Sequence, residues 1–291
     1  MRVRRLLLPL FILITYHVWG QESKVFESLS IKSGILNKEL AYAIYLPEGY
    51  ESSQRMYPVL YLLHGAGQNQ TSWIQGGDMQ RIVDKAIEEG KADPMIIVMP
   101  DAERTYYMNT RDKDYQYEDF FFDELMPYIE KTYRCRPGKK YRSIAGLSMG
   151  GFGALLYALH RPELFNASAA LSAAIRTDEE IINMVEEDYL NRYGKMMGQL
   201  KTGESRITDF WNQNSIIFLV KQLNEDQKNL VHFYIDIGDD DFLYKGNDLL
   251  HTTMRDLNIP HEYRVRNGSH NWDYFRSGLP EILTFVSESS R

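Results

Sequence analysis

The sequence predicts an α/β fold: a mostly parallel central sheet with helices on both faces and a helical insert over the active-site end. Three observations predict it. Short apolar runs, continuous rather than alternating, recur along the chain, as expected of strands covered on both faces. Amphipathic helical segments separate most of them, and strands alternating with helices build parallel sheets. One run passes through a glycine-bracketed turn, Gly146-Leu147-Ser148-Met149-Gly150, straight into a helical stretch.

The chain opens with the basic segment Met1-Arg2-Val3-Arg4-Arg5 and an apolar run from Leu6 to Trp19. That run is short for a membrane span and is built like an export signal. Val18 and Gly20 stand at the two positions a signal peptidase reads. Cleavage before Gln21 is therefore expected, with residues 1–20 a signal peptide and residues 21–291 a single domain; an uncleaved anchor is the alternative. Residues 40–47 read as a strand closed by proline, and residues 58–63 and 94–100 as covered strands. The first of these links is too short for a helix, so that edge is expected to be antiparallel. Further strands read at 141–145, 167–172, 230–237 and 261–265. Helices read at 78–89, 118–132, 151–159, 248–257 and 279–287, the last with Pro280 in its first turn. Residues 176–226 break the alternation. They read as a helical insert capping the serine, on the side where such sheets bind ligands.

With 291 residues the chain can bury a full core without staples. Removing Arg2, Arg4 and Arg5 takes three units from the net charge of −7, leaving −10. An acidic surface argues against nucleic acid, and against stable association with an anionic membrane after cleavage. Cys135 is the only cysteine, so no intrachain disulfide can form. It sits at a helix end and reads as structural or incidental. Export without disulfides fits a secreted or periplasmic bacterial protein. No Cys/His/Asp spacing resembles a metal site, and no cofactor is expected.

The turn at Ser148 has the form of a nucleophile elbow, in which a strained strand-to-helix turn lifts a serine hydroxyl above the sheet. A serine needs an imidazole to take its proton and a carboxylate to orient that imidazole. In this arrangement acid and base follow the serine in the chain, each on a loop after a strand. His64 precedes the serine. His160 ends the serine's own helix, His232 lies within a strand as a satisfied half-buried residue, His251 is on a helix and His261 begins a strand. His270, in Asn267-Gly268-Ser269-His270-Asn271-Trp272, follows the last strand and is the expected base. The acid is sought among Asp239, Asp240 and Asp241. Asp241 ranks first because Phe242-Leu243 can anchor it against the core, with Asp240 second and Asp239 third. The developing oxyanion needs donors already in place. The Met149 N–H is one, and the Ala66 N–H of Leu63-His64-Gly65-Ala66-Gly67 the other. Trp73, Tyr107, Trp211 and Trp272 are candidate substrate contacts, since aromatic faces suit sugar rings or a phenolic acyl group. Trp272 is also expected to brace the His270 loop.

Four segments together resemble the putative esterase family of α/β-hydrolases. They are residues 62–67, 146–154, 238–243 (Gly238-Asp239-Asp240-Asp241-Phe242-Leu243) and 268–275. That family includes the feruloyl and acetyl-xylan esterases of carbohydrate esterase family one, and S-formylglutathione hydrolases are similar. The resemblance runs from about residue 40 to residue 285. It implies Ser148 as nucleophile, Asp241 as acid, His270 as base, and Ala66 and Met149 as oxyanion donors.

The expected function is therefore that of a secreted serine esterase acting through an acyl-enzyme. Its expected substrates are acylated oligo- or polysaccharides or small esters, with feruloyl or acetyl groups removed from plant cell walls. Activity is expected to fall as acid protonates His270. An acyltransferase using the same triad, or a non-catalytic glycan-binding relative, is the alternative.

Overall fold

The computed structural model describes residues 22–198, 200 and 203–291. The expected signal peptide and its cleavage point before Gln21 lie outside the described residues.

Eight strands form one sheet: β1 (Lys24–Ser33), β2 (Lys38–Leu46), β3 (Val59–Leu63), β4 (Ile96–Pro100), β5 (Arg142–Leu147), β6 (Ala167–Leu171), β7 (His232–Gly238) and β8 (His261–Arg266). Their order is β1-β2-β4-β3-β5-β6-β7-β8. β1 pairs antiparallel with β2, and β2 antiparallel with β4, as the short early links require. All other pairs are parallel. The chain builds outward from β3 to β4, then returns to place β5 on the other side of β3. The crevice of an open sheet lies at such a reversal, beyond the carboxyl ends of the strands.

β1 has no counterpart in the sequence pattern. It is an edge strand with only Ile31 and Ser33 buried and a register shift between Phe26 and Leu29, so it lacks a continuous apolar run. The central strands β3, β4, β5 and β6 are buried throughout, which is why their sequences are apolar or small at every position except Arg142, whose charge is paired with Glu130 at 2.7 Å.

One face of the sheet is covered by α1 (Ser72–Gln75), α2 (Met79–Glu88) and the final helix. The other is covered by α3 (Tyr117–Asp119), a π-helical turn (Phe120–Leu125), α4 (Met126–Thr132) and α5 (Met149–His160). Between β6 and β7 the predicted insert is present as α6 (Asp178–Asn183), α7 (Glu186–Met197), α8 (Asp209–Asn214) and α9 (Ile216–Gln222). α6 starts on a capping box, with Thr177 and Glu180 satisfying each other's backbone N–H groups. α10 (Tyr244–Asp256) and α11 (Trp272–Ser290) complete the chain.

Two helical expectations need correction. The helix expected at 118–132 carries a π turn at Phe120–Leu125, where three consecutive phenylalanines are all buried. The last helix begins at Trp272, seven residues before the expected start, because Asn271 caps it by accepting from Tyr274 N–H. Pro280 therefore lies inside α11 rather than in its first turn.

Candidate active site

Ser148 sits between β5 and α5 at φ +54°, ψ −118°, a conformation that L residues rarely adopt. Such strain costs about 1–3 kcal/mol and persists only where the surroundings enforce it. Here they do. A Cβ on Gly146 would lie 2.4 Å from the Gly150 carbonyl carbon, and one on Gly150 would lie 2.4 Å from the Leu63 oxygen of β3. The glycines at both ends of the turn are therefore required by close approach. Ser148 N–H donates to Leu171 O (2.9 Å), while its carbonyl accepts from Phe152 and Ala174 N–H. The Met149 N–H opens α5, where a helix has no internal acceptor to offer it.

The sheet brings Ser148, His270 and Asp241 together across 122 and 29 residues of chain. His270 Nε2 lies 3.0 Å from Ser148 Oγ, and His270 Nδ1 lies 2.8 Å from Asp241 Oδ2. The carboxylate can only accept, so Nδ1 carries the proton. Nε2 then offers its lone pair to the serine hydroxyl. Asp241 has a fully buried side chain, and Leu243 N–H donates to its other oxygen at 2.9 Å. Burial pushes this carboxyl up, but the hydrogen bonds from His270 and the Leu243 amide outweigh that and hold it below the usual carboxylate value. It stays ionised and keeps the imidazole in one tautomer.

The three adjacent aspartates divide their work. Asp239 Oδ1 accepts from Gly268 N–H (2.8 Å), while Asp240 N–H donates to Gly268 O (3.0 Å). The Asp241 loop is thus laced to the His270 loop, with Asp240's side chain exposed. Gly238 makes this possible, since a Cβ there would stand 2.2 Å from Gly268 O. Leu243 is the buried anchor of Asp241. Phe242, expected to share that role, is instead 54% exposed.

The loop after β3 is organised by a residue the sequence reading passed over. His64 is buried, and its Nε2 accepts from Ala102 N–H at 2.9 Å. Asp101 Oδ1 is 3.4 Å from the same nitrogen, but the nearer partner is an obligate donor and decides the tautomer. Nδ1 therefore carries the proton and donates to Gly65 O (2.8 Å). Gln68 N–H also donates to Gly65 O, and Gln68 Oε1 accepts from Gly65 N–H. A peptide is planar and its C=O and N–H point opposite ways. With the Gly65 carbonyl held on His64, the Ala66 N–H is turned away from His64. Gly65 itself faces the serine, with its Cβ position 3.4 Å from Ser148 Cβ. The signal for His64 was its position beside Gly65, once it is read as a brace rather than a base.

The candidate substrate contacts are largely corrected. Trp73 is 1% exposed and donates to Leu63 O at 2.9 Å, so it packs behind the loop after β3. Tyr107 is fully buried and donates to His64 O. Its neighbour Tyr106 turns to the cleft side instead. Trp272 is half-buried against Trp73, Phe275 and the Gly76 backbone, bracing the His270 loop. Trp211 is 7% exposed and lines a narrow cavity under the insert with Tyr106, Phe152, Ala174 and Tyr193. A wider depression, about 230 Å³, adjoins Ala66 and is bordered by Arg104, Tyr106 and Arg192. His232 opens β7 and is exposed, not half-buried. Burial pushes the Cys135 thiol up to about 12, consistent with a structural place. Among the described residues no group of three or more His, Cys, Asp or Glu gathers as metal ligands, and no helix is long and apolar enough to cross a membrane.

A family model described as "Putative esterase" matches residues 33–286. The chain is 39% identical over 151 residues to an endo-1,4-beta-xylanase/feruloyl esterase of Xylanibacter ruminicola; the match covers 47% of this chain and 20% of that protein. The chain thus spans about a fifth of that relative's length. An acetyl esterase of Caldicellulosiruptor saccharolyticus is 26% identical, with 79% of this chain and 84% of that protein covered. Among solved structures, a ferulic acid esterase superposes with a TM-score of 0.80 at 33% identity, covering 94% of this chain and all of the other. An S-formylglutathione hydrolase of Staphylococcus aureus shares the fold (TM-score 0.73, 18% identity, 92% and 100% covered). The chain belongs to the putative esterase family and is by class a carboxylic ester hydrolase.

Proposed function

We propose that this esterase-family chain is a secreted serine esterase that removes feruloyl or acetyl groups from plant cell-wall polysaccharides. The observation that carries the mechanism is the His270 ring, with one nitrogen on Asp241 and the other on Ser148. In the proposed reaction His270 Nε2 takes the Ser148 proton as Oγ attacks the ester carbonyl. The Ala66 and Met149 N–H groups receive the oxyanion. The tetrahedral intermediate collapses, the C–O bond to the alcohol breaks, and His270 returns the proton to the departing oxygen. Water, deprotonated by the same nitrogen, then releases the acid from the acyl-enzyme. No step calls for a metal or cofactor.

The substrate class is supported by the relatives described as feruloyl and acetyl esterases. Export is supported by the basic start and the apolar run ending at Val18-Trp19-Gly20. Hydrolysis of methyl ferulate beside p-nitrophenyl acetate, with Ser148→Ala as control, tests the reading. Loss of a serine nucleophile is expected to lower kcat by at least ~10⁴-fold. Turnover of both esters supports a feruloyl esterase, and turnover of acetate alone a deacetylase. A Ser148→Ala protein that keeps its activity would sink the mechanism. Amino-terminal sequencing of the exported protein tests cleavage before Gln21.

A further inference from the structure

We propose that Phe242 forms the floor of a subsite for the leaving alcohol and takes the apolar face of a sugar ring there. This rests on the esterase reading of the same site. A single exposed aromatic residue is ordinary and carries nothing alone; the argument is its position. Phe242 stands between two buried residues, Asp241 and Leu243, on the loop that supplies the acid. Its ring centroid is 4.8 Å from that of His270, with the planes at 53°. Phe275 meets the imidazole edge-on at 5.2 Å and is buried. The imidazole thus touches one buried ring and one exposed ring.

The chemistry says what must occupy the open side. His270 Nε2 returns a proton to the departing alcohol oxygen, so that oxygen has to come within about 3 Å of it. Whatever carries the oxygen extends from the Nε2 edge of the imidazole. Phe275 is buried beside the imidazole, whereas Phe242 offers an exposed ring next to it. Arg176 borders the same patch from the insert. Its guanidinium carbon is 5.9 Å from the Phe242 ring centroid, and Glu180 holds it at 3.2 Å. An apolar floor with guanidinium N–H donors at its rim matches a sugar, which has a C–H face and a ring of hydroxyls. A methyl alcohol has neither.

The test compares two esters of one acid, a pentose ester and the methyl ester, in wild type, Phe242→Ala and Phe242→Trp. In Phe242→Ala the ratio of kcat/KM for the sugar ester to that for the methyl ester is expected to fall about five- to tenfold, mainly through KM. Phe242→Trp keeps the ratio, because it keeps an aromatic floor. If Phe242 only orients His270, both esters lose activity in proportion and the ratio stays at its wild-type value; that result overturns the proposal. A wild type inactive on both esters would refute the esterase reading, not this one. Titration with a xylo-oligosaccharide, followed by NMR, then decides: shifts in wild type and Phe242→Trp that vanish in Phe242→Ala support the subsite. Identical shifts in all three, or none, overturn it.

Discussion

The loop that holds His270 depends on a charge buried beneath it, and Asp236→Asn exposes that dependence. Asp236 lies on β7 and is fully buried. Arg266 donates to both of its oxygens, Nε at 2.7 Å and Nη2 at 3.0 Å. Tyr234 donates at 2.9 Å, and Tyr274 also donates to it. Arg266 ends β8 and Tyr274 lies in the first turn of α11, so residues 267–271 are strung between two groups tied to one carboxylate. Replacing it with asparagine removes the charge and puts an NH₂ where a donor already points. Breaking a buried ion pair by losing one partner costs about 3–5 kcal/mol. Arg266 keeps a quarter of its side-chain surface in water, so the low end, about 3 kcal/mol, applies. For a chain of this size that lowers Tm by roughly 6–12 °C. The slackened loop also displaces His270, and misplacement near 1 Å costs up to ~10²-fold in rate. Thermal unfolding by circular dichroism and steady-state kinetics on p-nitrophenyl acetate measure the two effects. A Tm within about 2 °C of wild type would refute the energetic reasoning. A lowered Tm with unchanged kcat would show that the clamp stabilises the fold without positioning the base.

His64→Phe keeps a ring but removes the Nδ1–H donor that turns the Gly65–Ala66 peptide, and kcat is expected to fall about 10²-fold with KM little changed, as for loss of one oxyanion donor; a change confined to KM would contradict the bracing role. His160 meets an acceptor at each ring nitrogen, Glu118 and the Gln213 carbonyl, both at 2.8 Å. Burial pulls its pKa down, but the Glu118 hydrogen bond and charge outweigh that and raise it above the ordinary 6.5. The raised value means that its stabilisation is complete below the unfolded-state pKa and is lost as pH rises through the folded-state one. His160→Gln should therefore lower Tm more at about pH 5.5 than at about pH 9, and an equal deficit at both would refute the charge assignment. Cys135, with its thiol pushed up to about 12, should resist iodoacetamide in the native protein at about pH 8 and react only after denaturation; prompt native labelling, read by mass spectrometry, would overturn that.

The meeting of Ser148, His270 and Asp241 was legible because each lies on a short loop at the end of an apolar run. The signals there are local: glycines at a turn, a histidine after a strand, an aspartate before a helix. The aromatic contacts were not legible. Tyr106 and Tyr107 are neighbours in sequence, yet one lines the cleft and the other is sealed beneath His64. Both stand at positive φ, and no alternation pattern predicts which way side chains leave such a turn. Trp73 looked available because it flanks the oxyanion motif, but its indole N–H is taken up by the Leu63 carbonyl. β1 escaped notice for a different reason, since an edge strand with one face in solvent needs no continuous apolar run.

The same distinction separates what is shared with relatives from what must be particular to this chain. The groups around Ser148 issue from the ends of β3, β5, β7 and β8, and the parallel order β3-β5-β6-β7-β8 brings those ends to one edge of the sheet. Any chain with this order and these loops can assemble the same groups. The cavity under the insert has no such source. Phe152 comes from the helix after the serine, Trp211 and Tyr193 from the insert, and Tyr106 from the loop after β4. Their meeting depends on how α7 and α8 pack over the elbow, not on the sheet. Changes in the insert can therefore reshape this cavity while the distances from His270 to Ser148 and Asp241 stay as they are. Changes at Asp236 or His64 should do the reverse, lowering turnover of every ester without altering the preference among them.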